Sequence, residues 1–395
     1  MKKVLIVGAS AWQVPIIQKA KELGYRVGVV DYNPNAVGIP YADVFYNAST
    51  NDPEGVYQAA LDFGADGLTS VATDMPMRSI AYTCEKMGLV GITPAVAERA
   101  TDKALMIRAF EQHHVPHPWY FVVENRDVTS IRDKLSYPCI CKPIDNSASR
   151  GVVIVENEEQ LTAAVSYSAE NGRSGSVIVE ELLRGEEISV EAFAVDGQVH
   201  VLAITDKLTT GSPHFVEMGH NQPSQFETNL REEITAVATA AMKAVGIEDG
   251  PAHIEMMITD RGPVMIELGA RLGGDFITTD LVPLSTGIDI LAATIQSACG
   301  QPVDLTPTHH KAAVIRYLEA EQHGVLCGTE GIEDAMAIPG VIRVDMLKAE
   351  GETAGPITNS LDRVGYVIAQ ADTVAEAVAV CEQCKAKIRV KTKRD

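Results

Sequence analysis

The chain has 395 residues, 46% of them hydrophobic, and a formal net charge of −20. It is too long for one compact core and suits about two to four domains. The acid excess excludes a nucleic-acid surface, which needs a basic face, though a few local cations can still hold one nucleotide; no apolar run reaches the roughly 18 residues of a membrane span.

The opening MKKVLIVGAS is short, ends its apolar run at Gly8 and lacks a small-residue cleavage site. It reads as a first strand rather than a signal peptide, so a cytoplasmic protein is expected. Helix VPIIQKAKELG ends at Gly24, and strand YRVGVVDYN follows. Then come a helix over Pro53–Phe63, a strand GLTSVAT, a helix over Pro76–Met87 and a short strand LVGI. Such alternation implies an α/β domain with a parallel sheet, at about residues 1–95. A dinucleotide fingerprint would need three glycines, but Ser10 and Gln13 follow Gly8. Asp31 therefore reads as a strand-end residue near the domain interface rather than a ribose ligand.

From about residue 96 to 305 the pattern becomes α+β, with a small lobe at about 115–183. Helix TDKALMIRAFEQHH precedes strand WYFVV, helix VTSIRDKLS, strand PCICKP and the loop DNSASRG. Strand VVIVE, helix EEQLTAAVSYSAE and strand SVIVEELL follow. Two long strands then flank Asp196-Gly197, a hairpin signal. Helix NLREEITAVATAAMKAVG leads to strands AHIEMMITD and GPVMIELGA, joined by a turn at Asp260-Arg261-Gly262. After the stretch Gly300–Pro307, about residues 306–395 form a small α+β domain. Its elements are strands AAVIRYLEA, VIRVDML and RVGYVIAQ, helix TVAEAVAVCEQCKAKI and a basic tail. Cys381 and Cys384 lie inside that helical pattern with no second pair, so free thiols are expected rather than zinc.

Several polar residues interrupt apolar strands. Lys142 is costly to bury without a partner, which a phosphate oxygen would supply; otherwise it sits at an exposed strand end. Lys103 alone is an ordinary helix-opening lysine. The small residues of Asp145–Gly151 let backbone N–H groups approach phosphates, or form a plain turn. Glu180, Glu181 and Leu183 end a strand whose backbone can pair with a base edge, and Glu187 can take ribose hydroxyls; the alternative is a solvated acidic turn. Glu255 and Glu267 form the sharpest pair. Adjacent antiparallel strands bring them together, where they repel unless a cation lies between, and magnesium takes such oxygen ligands. Arg271 follows before a glycine pair and can fork onto carboxylates or phosphates.

Taken in order, TDK, KP, DNSASRGV, VEELLRGEE, HIE and IELGARLGG resemble the ATP-grasp superfamily across nearly the whole chain. The resemblance implies an ATP-grasp fold with a Rossmann-like pre-ATP-grasp domain and a small C-terminal domain. It implies that Lys103 and Lys142 contact the phosphates of ATP, under a loop carrying Ser147, Ser149 and Gly151. Glu180, Glu181 and Leu183 would hold adenine, Glu187 the ribose, Glu255 and Glu267 magnesium, and Arg271 the acyl phosphate or tetrahedral intermediate. Two departures stand out. Ala148 replaces a frequent glycine, and Gly269 replaces the asparagine of the common E-x-N pattern. The resulting E-x-x-x-R resembles the L-amino-acid ligase (carboxylate–amine ligase) subgroup. That subgroup implies that Glu217 holds a substrate ammonium and His220 a carboxylate or phosphorylated intermediate, and that Asp275 hints at a polar or cationic substrate group.

The expected reaction joins a small-molecule carboxylate to an amine through an acyl phosphate, in an enzyme for which the resemblance offers a homodimer as one assembly. One rival is a glycinamide ribonucleotide synthetase-like or carboxylating enzyme acting on a phosphoribosyl amine. It needs a basic pocket, and the grasp region shows no surplus cluster of lysine or arginine. A carbamoyl-phosphate-synthase-like reading shares the fold, but the chain is too short for two such halves. A non-catalytic ATP-binding protein would not require Glu255, Glu267 and Arg271 together.

Overall fold

The computed structural model describes residues 1–146, 150–211 and 214–393. Strands β1 (Lys3–Val7), β2 (Arg26–Asp31), β3 (Val44–Asn47) and β4 (Gly67–Thr69) form a parallel sheet in the order β3-β2-β1-β4. Helices α1 (Val14–Glu22), α2 (Pro53–Phe63) and α3 (Met77–Met87) flank it. Where a dinucleotide fold has glycines, the Gln13 amide donates to Val71 O at 2.8 Å. Asp31 spends both carboxylate oxygens on the backbone N–H groups of Ala9 and Asn33. That end of the sheet is a closed structural corner.

Two helices not separated in the sequence reading, α4 (Pro94–Thr101) and α5 (Lys103–Gln112), carry the chain onward. Thr93 caps the first and Asp102 the second through side-chain oxygens. The small lobe holds β5 (Tyr120–Val123), β6 (Cys139–Pro143), β7 (Val153–Val155), α6 (Glu158–Glu170) and β8 (Val177–Glu181), with strand order β5-β8-β6-β7.

The large sheet is antiparallel throughout. It contains β9 (Glu186–Val195), β10 (Gln198–Thr209), β11 (Glu217–Gln222), β12 (Gly250–Thr259) and β13 (Gly262–Gly269), with α7 (Thr228–Val245) on one face. The Asp196-Gly197 hairpin forms, both residues at positive φ (49° and 74°). Helices α8 (Val282–Thr286) and α9 (Ile290–Ala298) lead to β14 (Ala312–Leu318), β15 (Gly324–Glu330), α10 (Ile332–Met336), β16 (Val341–Met346), β17 (Thr353–Ala354), β18 (Gly365–Ala371), α11 (Val374–Lys387) and β19 (Arg389–Lys393). The full order is β13-β12-β9-β10-β11-β14-β18-β16, so three C-terminal strands extend this same sheet. The other three form a small sheet, β17-β15-β19, which includes the basic tail.

Several expected elements differ. LVGI is not a strand: α3 closes on Gly88 at φ 65°, and Leu89 N caps Cys84 O. VTSIRDKLS yields only a 3-10 turn at Arg132–Lys134, because Pro138 disfavours helix just before it. Glu217 and His220 both lie on strand β11.

Cross-strand register decides where the polar residues point, since directly opposed residues share a face. Glu255 lies opposite both Glu267 and Ser189, His253 opposite Glu191, and Lys207 opposite His220. The other face carries Ile188, Val190, Ala192, Ile254 and Met256, all fully buried against α7. One face is therefore a hydrocarbon core and the other a polar floor. Gly185, in the turn entering β9, has φ 153°, and a Cβ there would meet Ile258 O at 1.8 Å. Gly185→Ala is expected to cost about 2–3 kcal/mol, read as a lowered thermal midpoint; an unchanged midpoint would contradict this packing.

Candidate active site

Lys207 organises the floor. Its side chain is only 2% exposed, and its Nζ meets Glu187 at 2.5 Å, Glu217 at 2.7 Å and Glu255 at 3.1 Å. Burial alone would push the Glu255 carboxyl up; the Lys207 ammonium and His253 reverse this and hold it well below the usual range. Burial would likewise lower Lys207, but Glu217, Glu255 and Glu187 raise it well above normal. Glu217 goes the other way: burial raises it, and Asp275 adds to that, against the pull of Lys207. His253 Nδ1 lies 2.6 Å from Glu191, and Glu191 outweighs burial to lift the ring to about 10. Lys207, His253 and Glu191 were missed in the sequence. The signal was the same one that found Glu255, a charged residue within an apolar alternation.

Glu267, although opposite Glu255, has its own cation. Lys103 Nζ lies 2.8 Å from Glu267 Oε2 and donates to Asn146 O at 2.9 Å. Lys142 pairs with the buried Glu180 at 2.7 Å. Glu181 stands apart, held by Arg261 at 2.8 Å, and Leu183 lies half-buried in the β8–β9 turn. Gly151 has φ 79°, and a Cβ there would come within 2.6 Å of Asn171. Ser147, Ala148 and Ser149 lie outside the described residues.

Arg271 is clamped by an acid from the N-terminal domain. Its Nε and NH2 donate to the two carboxylate oxygens of Asp74 at 2.8 and 3.0 Å. Gly269 makes this possible, since a Cβ there would lie 2.7 Å from Asp74 Oδ1. Asp74 thus occupies the space of the missing asparagine. Sequence reading missed it, although it follows the carboxyl end of a parallel strand, where α/β sheets place ligands.

Beyond Glu217, fully buried His220 has neither ring nitrogen hydrogen-bonded among the described residues, and its Nε2 is 3.7 Å from Asp275. Asp275 is held bidentately by buried Arg363 at 2.7 and 3.0 Å. Its charge is matched inside the protein by that guanidinium.

Residues 135–280 match the model of an ATP-grasp domain, and residues 316–393 that of L-amino acid ligase C-terminal domain 2. The chain carries an ATP-grasp domain followed by an L-amino acid ligase C-terminal domain. This ATP-grasp chain is 28% identical to the uncharacterized protein y4rH of Sinorhizobium fredii, over 81% of its length and 67% of that protein's. It is 27% identical to alanine–anticapsin ligase of Bacillus subtilis, over 71% and 66%. The chain spans about two thirds of the length of these curated relatives. Its fold is shared with an L-amino acid ligase from Bacillus licheniformis (TM-score 0.85, 23% identity, covering 100% and 99%). It is also shared with a phosphoribosylglycinamide synthetase from Anaerococcus prevotii (TM-score 0.82, 24%, covering 99% and 100%).

Glu255 and Glu267 are cross-strand partners on one face, an oxygen pair of the kind that fits a hard divalent cation. The ligand atoms of Glu187, Glu217 and Glu255 lie within 4.8 Å of one another, but Lys207 Nζ already serves all three. Lys207→Met would leave those three carboxylates without their shared cation. A loss of about 3–5 kcal/mol is expected, measured by thermal or chemical denaturation, and Lys207→Met melting like the parent would refute the hub.

Proposed function

We propose that this protein is an ATP-dependent carboxylate–amine ligase that forms an amide or peptide bond through an acyl phosphate, with an amino acid among its substrates. The observation that carries the reading is the convergence of Glu255, Glu267, Lys103 and Arg271 on one polar sheet face. The L-amino acid ligase C-terminal match supports the amino-acid choice.

Lys142 and Lys103 bind the phosphates of ATP, with Glu180, Glu181 and Leu183 around adenine and Glu187 at the ribose. Magnesium, held by Glu255 and Glu267, would neutralise charge on the transferring phosphoryl group. The substrate carboxylate attacks the γ-phosphorus, giving an acyl phosphate and ADP. Glu217 holds a substrate ammonium. His220, buried with both nitrogens unbonded, has the free donor and acceptor needed to hold a carboxylate or the phosphorylated group. The amine then attacks the acyl carbon, Arg271 steadies the oxyanion, and phosphate leaves. Asp74 fixes the Arg271 guanidinium in place before substrate arrives, so its orientation costs little at the moment of reaction.

A phosphoribosyl-amine substrate is the second reading. The likeness to phosphoribosylamine–glycine ligase of Methanobrevibacter smithii (27% identity, 98% and 94% coverage) favours it. Screening amino acids, amino-acid pairs and phosphoribosyl amines for substrate-dependent phosphate release with magnesium and ATP separates the two. Dependence on two amino acids supports the first reading, and dependence on a phosphoribosyl compound alone selects the second. Arg271→Met is expected to lower kcat about 10²–10³-fold with little change in the KM for ATP. Near-normal turnover by Glu267→Ala would sink the ligase assignment.

A further inference from the structure

A cleft of about 360 Å³ lies between the N-terminal domain and the small lobe, with Lys103, Glu267 and Arg271 at its inner end. Its outer arm is lined by Arg78 and Ser79 of α3, Thr101 of α4, and Asp145 and Arg173 of the small lobe.

The acids of this cleft already have partners. Asp74 is matched by Arg271 and Glu267 by Lys103. Asp145 accepts from the backbone N–H groups of Arg173 and Ser174 at 3.0 and 2.7 Å. The two arginines have only Asp145 between them. Arg78 donates through Nε to Thr101 Oγ1 at 2.7 Å, an Arg173 NH2 touches Met75 Sδ, and Arg173 acts on Asp145 through its charge. Neither arginine forms an ion pair with a carboxylate among the described residues. In a chain of net charge −20, two guanidinium groups against one carboxylate in a cleft are a local cationic surplus. They lie 95 positions apart in sequence and come from different domains, so no run of basic residues announced them.

A second observation points to a ligand. Ser79 is 1% exposed, lines the cleft, and its hydroxyl has no hydrogen-bond partner among the described residues. Buried hydroxyls are normally satisfied. Ser79 and Arg78 sit in the first turn of α3, which has no acidic residue and no side-chain cap. An arginine at an uncapped helix start opposes the helix dipole unless an anion joins it.

We propose that this outer arm holds an anionic group, a carboxylate or a phosphate, at the far end of the second substrate, between Arg78, Arg173 and the Ser79 hydroxyl. The inference rests on the ligase reading for the word substrate, but the binding it describes does not need turnover. The distance from the reacting centre is set by the cleft: the reacting group lies at Arg271 while the distal anion lies at the mouth, where both guanidinium groups have room for bidentate contact.

Binding to the protein with magnesium and ADP is measured by calorimetry for two matched series. One is aspartate and glutamate against asparagine and glutamine, and the other is O-phosphoserine and a phosphoribosyl amine against serine and a ribosyl amine. The same compounds are assayed for phosphate release with ATP. An anionic compound is expected to bind about 10–100-fold more tightly than its neutral counterpart. That ratio should collapse in Arg78→Gln and Arg173→Gln, whose exposed side chains leave folding intact, while ADP affinity stays the same. Preference for the carboxylate series names a dicarboxylic substrate, and preference for the phosphate series names a phosphorylated amine. Equal binding of anionic and neutral compounds, or a ratio unchanged in both variants, overturns the proposal. Preferential binding without phosphate release from any compound overturns the ligase reading alone.

Discussion

The rest of this molecule depends on how a sheet face crowded with carboxylates is held together, with two lysine ammonium groups against four acids. Glu187, Glu217, Glu255 and Glu267 project from β9, β11, β12 and β13 toward one space. Unpaired, such acids would cost several kcal/mol each to bury. Lys207 answers three of them and Lys103 the fourth. The opposite face of the same strands is pure hydrocarbon under α7, so the strands cannot slip register to relieve the charge. A shift of one residue would bury the acids in the core and expose Ile188, Val190 and Ile254. The hydrophobic side fixes the geometry, and the polar side gathers the acids and their lysines.

The same economy explains the N-terminal domain. A parallel four-stranded sheet without a dinucleotide turn is bridged to the loop that follows β13. Val71 pairs with Leu272, Ala72 N bonds Leu272 O at 3.1 Å, and Asp74 clamps Arg271. Gly269 leaves the space that this reach requires. Loss of an asparagine within the grasp and gain of an acid from the neighbouring domain are one structural change.

Most of the architecture was legible because its signals are local. Alternation gave β12 and β13 and hence the Glu255–Glu267 pair, and Asp196-Gly197 gave the β9–β10 hairpin. Periodicity gave α6 over Glu158–Glu170, as found. The failures share a cause. LVGI and VTSIRDKLS are short apolar stretches whose caps and proline outweigh propensity. Asp74 and Arg363 were invisible because their meaning lies in partners 197 and 88 positions away. Charge along a sequence says little about charge in space, and Arg78 with Arg173 makes the point most plainly.

The pairing pattern also bears on how substrate enters. On the proposed reading, Lys103 and Lys142 must serve phosphates, yet each is already bound to a carboxylate, Glu267 and Glu180. Breaking either pair alone would strand a buried charge at a cost of about 3–5 kcal/mol. Magnesium and ATP arriving together avoid this, because the metal takes the acids as the phosphates take the lysines. The pairs then exchange partners rather than separate, and each charge stays matched throughout. ATP without the metal would free Glu267 from Lys103 with nothing to replace it, and the metal without ATP would crowd the lysine ammonium. The two components are therefore coupled through Glu267 and Lys103, and on this reading the pairs that hold the site at rest are the ones that the complex exchanges.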